Sequence, residues 1–208
     1  MSETRTIEAT GRGVVRAKPD VAVLELAVVT EAKKPADAIE ENAARMNQVI
    51  EAVRAQKIPE SAIQTSTLRL QPLYKWNEDA QNHFLVGYLA TNAITVRAPI
   101  DAAGPVYDAG VTAGANGAGG ILFTVTDDRK YRREALSLAT KHAVEEIHAV
   151  AKTLGAHLSG PMQAQVLFDS QPQPYQLALE KAAASDTPVM PGRVEISARV
   201  RVVYTIKP

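Results

Sequence analysis

The chain has 208 residues, a length that suits one domain or two small lobes and buries roughly 70% of the unfolded surface in a real core. Its 23 basic and 23 acidic residues cancel, so no global field favours nucleic acid or an anionic membrane. The absence of cysteine excludes disulfides, thiolate nucleophiles and Cys-ligated zinc, and leaves the redox compartment open.

The opening MSETRTIEATG is polar and lacks the basic and apolar regions of a signal peptide, so an exported form would have lost its leader from this sequence. Residues 7–15 alternate loosely. VAVLELAVV, at 21–29, is β-rich and apolar on both faces apart from Glu25, and is about half the length of a membrane span. Lys18-Pro19-Asp20 between these runs predicts a turn, because proline fixes φ and interrupts a ladder. From Pro35 the period changes. Ile39, Ala43, Met46, Ile50 and Val53 recur at steps of four and three, predicting an amphipathic helix that ends near Gln56.

IQTSTLRL (63–70) and the alternating run 84–96 read as a long hairpin, joined by a loop around 76–82. A shorter helix follows over 101–113 and is ended by Gly114. ILFTVT (121–126) is a strand. Asp127 or Asp128 then caps a long helix striped by Leu136, Ala139, Ala143, Ile147, Val150 and Leu154 and stopped by Gly155. Met162, Ala164, Val166 and Phe168 mark another strand. Residues 169–191 are proline-rich without a lasting period and read as a mobile excursion, with at most a short helix near 175–184. The final run, 194–206, alternates apolar residues with Arg193, Glu195, Arg199 and Arg201, as a strand with one wet face does.

The order ββαββαβαββ predicts an α+β protein, mainly antiparallel sheet with helices packed on one face. The chain reads as a single domain, 1–208; a boundary near Ala98 gives the alternative of two lobes, 1–98 and 99–208.

Chemistry is hard to find. Gly11-Arg12-Gly13 with Lys18, and GANGAGG at 114–120, invite a phosphate-loop reading, but such loops deliver glycines from a strand to a helix N-terminus. The first cluster here leads into a strand, and the second leaves a helix. Glu145 and His148 have the E-x-x-H spacing of a di-iron ligand pair, yet it occurs once, and a solvated helix face explains it. His83, His142 and His157 are not paired at ligand spacing, so neither a metal nor a cofactor is expected. No nucleophile elbow occurs and no catalytic residue is assigned. Arg193, Arg199 and Arg201 suit cross-strand pairing better than RNA. The aromatics gather around one hairpin tip, which makes Tyr74, Trp76 and Tyr88 candidates for a ligand or partner surface, with a core plug as the plain alternative. Glu25, an acid inside an apolar strand, must face water, a partner chain or an arginine, and is a further interface candidate.

The segments GRGVVRAKPDVA, VTEAK, ENAARMN, IPESAIQTS and GYLATNAITV, followed by AGANGAGGILFTV, EALSLAT and MPGRVEISARVRVVY, resemble in their order the SIMPL-domain family. The resemblance covers nearly the whole chain apart from 169–187. It implies an α+β domain that bacteria usually export to the periplasm or cell envelope, the cytoplasm being the alternative compartment. It also implies no established catalytic residues. Among the bacterial members one assembles into a large ring-like oligomer and another is linked to oxidative-stress defence; the animal member is an adaptor of a pelle-like kinase. The resemblance therefore points to a non-enzymatic, self-assembling envelope protein whose partner is itself, without nucleic acid and without spanning the membrane. The alternative is a small-molecule-binding or signalling module using the hairpin tip, 74–88. Lys57 departs from the family, which usually has glycine before I-P, so a different helix exit is expected.

Overall fold

A computed structural model describes residues 5–78, 81–167, 173–175 and 189–207. The elements follow the predicted order with one short strand added: β1 (Thr6–Ala17), β2 (Val21–Ala32), α1 (Pro35–Ala55), β3 (Ile63–Asn77), β4 (Asn82–Pro99), α2 (Ala103–Thr112), β5 (Gly117–Thr124), α3 (Arg129–Leu154), β6 (His157–Leu167), β7 (Gln173–Tyr175) and β8 (Arg193–Lys207). All pairing is antiparallel, within two sheets ordered β3-β4-β2-β5 and β1-β8-β6, with β7 also on β8. The chain is α+β as expected.

The described residues fall into two compact units that part at Pro19/Asp20, Thr124/Val125 and Pro191/Gly192. Ala98 lies inside β4, buried and paired with Ala22. Of the excursion 169–191, only 173–175 and 189–191 are described, and Tyr175 belongs to β7. The rest of the helix expected near 175–184, and Phe168, lie outside the described residues.

In the unit holding residues 20–124, α1 and α2 cover one face of the sheet. Leu24, Leu26 and Val28 of β2 meet Ile94 and Val96 of β4 and Met46, Val49 and Val53 of α1, each almost fully buried. VAVLELAVV is thus an inner strand with one core face, and its other face, Val23, Ala27 and Val29, is half-buried.

The stripe expected on α1 is rotated. Ala38, Asn42, Met46, Val49 and Val53 are buried, whereas Ile39 is 48% exposed and Ala43 is exposed. Asn42 turns inward because its amide Nδ2 donates to the carbonyls of Val28 (2.8 Å) and Ala90 (3.1 Å), and the Thr30 hydroxyl donates to the Ala38 carbonyl at 2.7 Å. Buried polar groups with such partners cost little.

Lys57, standing where glycine was expected, keeps the left-handed backbone a glycine would take, with φ 64°, and its N–H closes the helix end on the Arg54 carbonyl. This helix exit is strained, since a Cβ in this conformation costs about 1 kcal/mol or more. Lys57→Gly should raise stability by about 1 kcal/mol in a urea titration, because glycine relieves that strain, less its own unfolded-state entropy.

In the other unit α3 lies across β1 and β8. Its buried line is Ala135, Ala139, Ala143, Ile147 and Ala151; Val150 and Leu154, expected in the stripe, are 45% and 66% exposed. The shift follows from Gly11 and Gly13, which bring the strand backbone directly against the alanines. A Cβ on Gly11 would sit 2.0 Å from the Ala139 carbonyl oxygen, and one on Gly13 1.9 Å from that of Ala135. Met162, Ala164 and Val166, which mark the alternation of β6, are exposed because α3 barely reaches this edge strand. Asp128 is the α3 N-cap but makes no side-chain cap bond; Asp127 accepts from the Arg129 backbone N–H at 3.1 Å. The Arg129 guanidinium, with that N–H, holds the Asp127 carboxyl below its usual range.

The polar face of β8 is matched by opposite charges on β1. Glu195 lies between Arg12 and Arg16, each at 3.6 Å, and Arg201 pairs with Glu8 of β1. The Arg201 hydrogen bond lowers the Glu8 pKa. Removing it with Arg201→Gln should move the Glu8 titration upward toward the ordinary glutamate value, as read by carboxyl carbon NMR. A group with a depressed folded pKa stabilises above its unfolded pKa and loses that contribution as pH falls, here by an amount kept small because the pair is solvent-exposed.

Candidate functional site

The hairpin is longer than the sequence suggested. β3 and β4 stay paired to Asn77↔Asn82, with Trp76 opposite His83, so Trp76, Asn77 and Asn82 of the loop expected around 76–82 are strand residues, while Glu78 and Gln81 lie in the turn. β2 leaves β4 at Ala32↔Tyr88. Beyond that point β3 and β4 continue as a ribbon that no third strand supports among the described residues. A ribbon of this kind is marginal in water without something to pack on.

The ribbon carries large apolar groups in solvent. Tyr74 is 55% exposed, Trp76 50%, Phe84 46% and Leu85 47%. Cross-strand register sets Tyr74 opposite Leu85 and Lys75 opposite Phe84, so apolar side chains stand on both faces. The Trp76 and His83 rings meet edge-on at 5.0 Å between centroids, which orders the indole while leaving half of it wet. The core-plug alternative is excluded by these exposures. Tyr88 is not at the tip: it is half-buried at the root of the ribbon, between Ala32 and Pro72 in register.

Glu25 is exposed, and its carboxylate lies over β5 where Gly119 has no side chain; a Cβ there would be 2.3 Å from Glu25 Oε2. Glu25 stands opposite Thr95, seven residues along β2 from the root of the ribbon at Ala32↔Tyr88, and the structure does not bring it together with the aromatic candidates.

The other residues weighed for chemistry have structural roles. His142 Nδ1 lies 2.8 Å from the Arg12 carbonyl oxygen, and His148 meets Tyr204 edge-on at 6.2 Å. Glu145 faces Lys141 one turn back at 3.8 Å, as on a solvated helix face. Among the described residues there is no group of three or more His, Asp or Glu suited to a metal ion. No described helix is long and apolar enough to cross a membrane.

A feature missed by periodicity is a hollow of about 390 Å³ in the same unit, where α1 flanks the uncovered part of β3 and β4. The only sequence signal for it was Leu68 and Leu70 alternating on an edge strand.

The family described as SIMPL, protein of unknown function (DUF541), matches residues 7–204, and the chain belongs to it. The chain is 31% identical to the 26 kDa periplasmic immunogenic protein of Brucella melitensis over 97% of its own length and 84% of that protein, and 31% identical to the protein of the same name from Brucella abortus. It is 25% identical to the uncharacterized protein YggE of Escherichia coli K12, over 97% of this chain and 83% of the relative.

Proposed function

We propose, taking SIMPL-family membership as the premise, that this chain is a non-enzymatic protein of the periplasm or cell envelope that works by assembling with copies of itself, in a ring-like oligomer with a role in stress defence. The compartment is supported by the Brucella relatives, which are named periplasmic proteins. Assembly is carried by one observation, the ribbon 73–77/82–87 with Tyr74, Trp76, Phe84 and Leu85 exposed on both faces. Packing these groups against a second copy removes them from water, at about 25 cal/mol for each Å² of apolar surface. Tryptophan and tyrosine are also the residues that most often dominate interface energetics. Four side chains fall short of a standard interface, but nearly all of β3 is solvent-exposed and offers an edge with unpaired backbone groups beside them.

Light scattering on the purified protein tests this. The wild type should give a mass several times that of one chain, and Trp76→Ser with Phe84→Ser should weaken association by about a hundredfold or more. A clean monomer at high concentration, or a double variant that assembles like wild type, would overturn the reading.

A further inference from the structure

The hollow beside α1 has an apolar wall and one anomalous polar atom. Ile39 and Ala43 of α1 form one side, Leu68 and Leu70 of β3 the other, and Ala90 and Asn92 of β4 the floor. Register places Leu68 opposite Asn92 and Leu70 opposite Ala90, so these four share the helix-side face of the sheet; Arg69, which also contributes to the lining, alternates between the two leucines. α1 packs on β2 and β4 and hardly on β3, which leaves Leu68 76% and Leu70 39% exposed.

Asn92 Oδ1 is buried and finds no hydrogen-bond partner among the described residues. Asn42, also lining the hollow, cannot serve it, because both hydrogens of its amide are committed to the Val28 and Ala90 carbonyls. A buried acceptor without a donor is costly. An apolar cavity of this size with one or few polar groups is also the usual form of a small-ligand site.

We propose that this hollow binds a small, largely apolar molecule carrying a single hydrogen-bond donor, an alcohol or phenol, whose hydroxyl satisfies Asn92. The apolar body lies between Ile39 and the Leu68 and Leu70 side chains. A turn about the soft Cβ–Cγ torsion of Asn92 presents Oδ1 to the ligand. The site is separate from the aromatic ribbon, although its Leu68 and Leu70 wall belongs to β3, whose exposed edge the proposed assembly also uses.

The test is a methyl NMR titration of the full chain, following the Ile39, Leu68 and Leu70 methyls with 4-butylphenol and with its methyl ether, which lacks the donor. Both should bind saturably, and the phenol about threefold to tenfold more tightly, the value of one net hydrogen bond. Asn92→Leu, an apolar replacement facing an apolar wall and so compatible with folding, should abolish that preference while binding persists. Ala43→Phe, at an exposed helix position on the rim, should block both probes. The proposal is overturned by methyl shifts that do not saturate, by equal affinity of phenol and ether for the wild type, by a preference that survives Asn92→Leu, or by binding that survives Ala43→Phe. Light scattering on the same samples keeps this outcome distinct from any failure of self-assembly.

Discussion

Gly13→Ala should cost about 3 kcal/mol, the upper end of the usual overpacking penalty, although it adds a single methyl group. That methyl would lie 1.9 Å from the Ala135 carbonyl oxygen and 2.6 Å from the Ala139 backbone nitrogen. Neither neighbour is a flexible side-chain end that could swing aside; both belong to the main chain of α3, so helix and strand must separate. Separation would loosen the contact of Ala135, Ala139 and Ala143 with β1 and β8 along the whole interface. Gly11→Ala meets the same backbone one turn along, at 2.0 Å from the Ala139 carbonyl oxygen and 2.5 Å from the Ala143 nitrogen. For a chain of this size a loss of 3 kcal/mol lowers the melting temperature by about 6 to 12 °C. A Gly13→Ala protein melting within a degree or two of wild type would mean that α3 does not sit this close.

Asn42→Ala should destabilise by about 2 kcal/mol through the loss of two buried hydrogen bonds. Asn42 is 3% exposed and joins α1 to both inner strands, through the Val28 and Ala90 carbonyls. Asn42→Asp separates hydrogen bonding from shape. A neutral acid can still donate one proton to a carbonyl, whereas a buried carboxylate facing two carbonyl oxygens is repelled, so the folded-state pKa rises above the unfolded value of about 3.9. Stability is then retained below the unfolded pKa and lost as pH rises through the folded one. Denaturant titrations at acid and neutral pH should show Asn42→Asp close to Asn42→Ala in acid and clearly less stable at neutrality. Equal stability of the aspartate variant at both would show that Asn42 is reached by water.

Both residues show where pattern reading stops. A hydropathy stripe places Ile39 and Ala43 inside and leaves Asn42 out, because it scores side chains without their partners; two strand carbonyls reverse the order. The same reading buries Val150 and Leu154, although the packed side of α3 follows the glycines of β1. The strand 162–167 alternates correctly, but alternation says which residues share a face and nothing about whether a helix reaches it. The hairpin was legible as a hairpin. Its tip was not, since Lys75, Trp76 and Asn77 have neither a turn signature nor a continuous apolar period.

The sequence by itself determined the element order, the α+β class, the turn at Lys18-Pro19-Asp20, the helix stops at Gly114 and Gly155, and membership of the SIMPL family. These rest on local backbone preference, side-chain period and the order of short motifs. Only the tertiary structure decided that Gly11 and Gly13 are contacts with a helix backbone, that Lys57 bears a left-handed conformation suited to glycine, that Tyr74 and Trp76 stand in solvent while Glu25 lies elsewhere, and that Asn92 keeps a buried oxygen without a donor among the described residues. Each of these depends on which atoms distant in sequence are brought within a few ångströms, a property of packing that no period in the chain encodes.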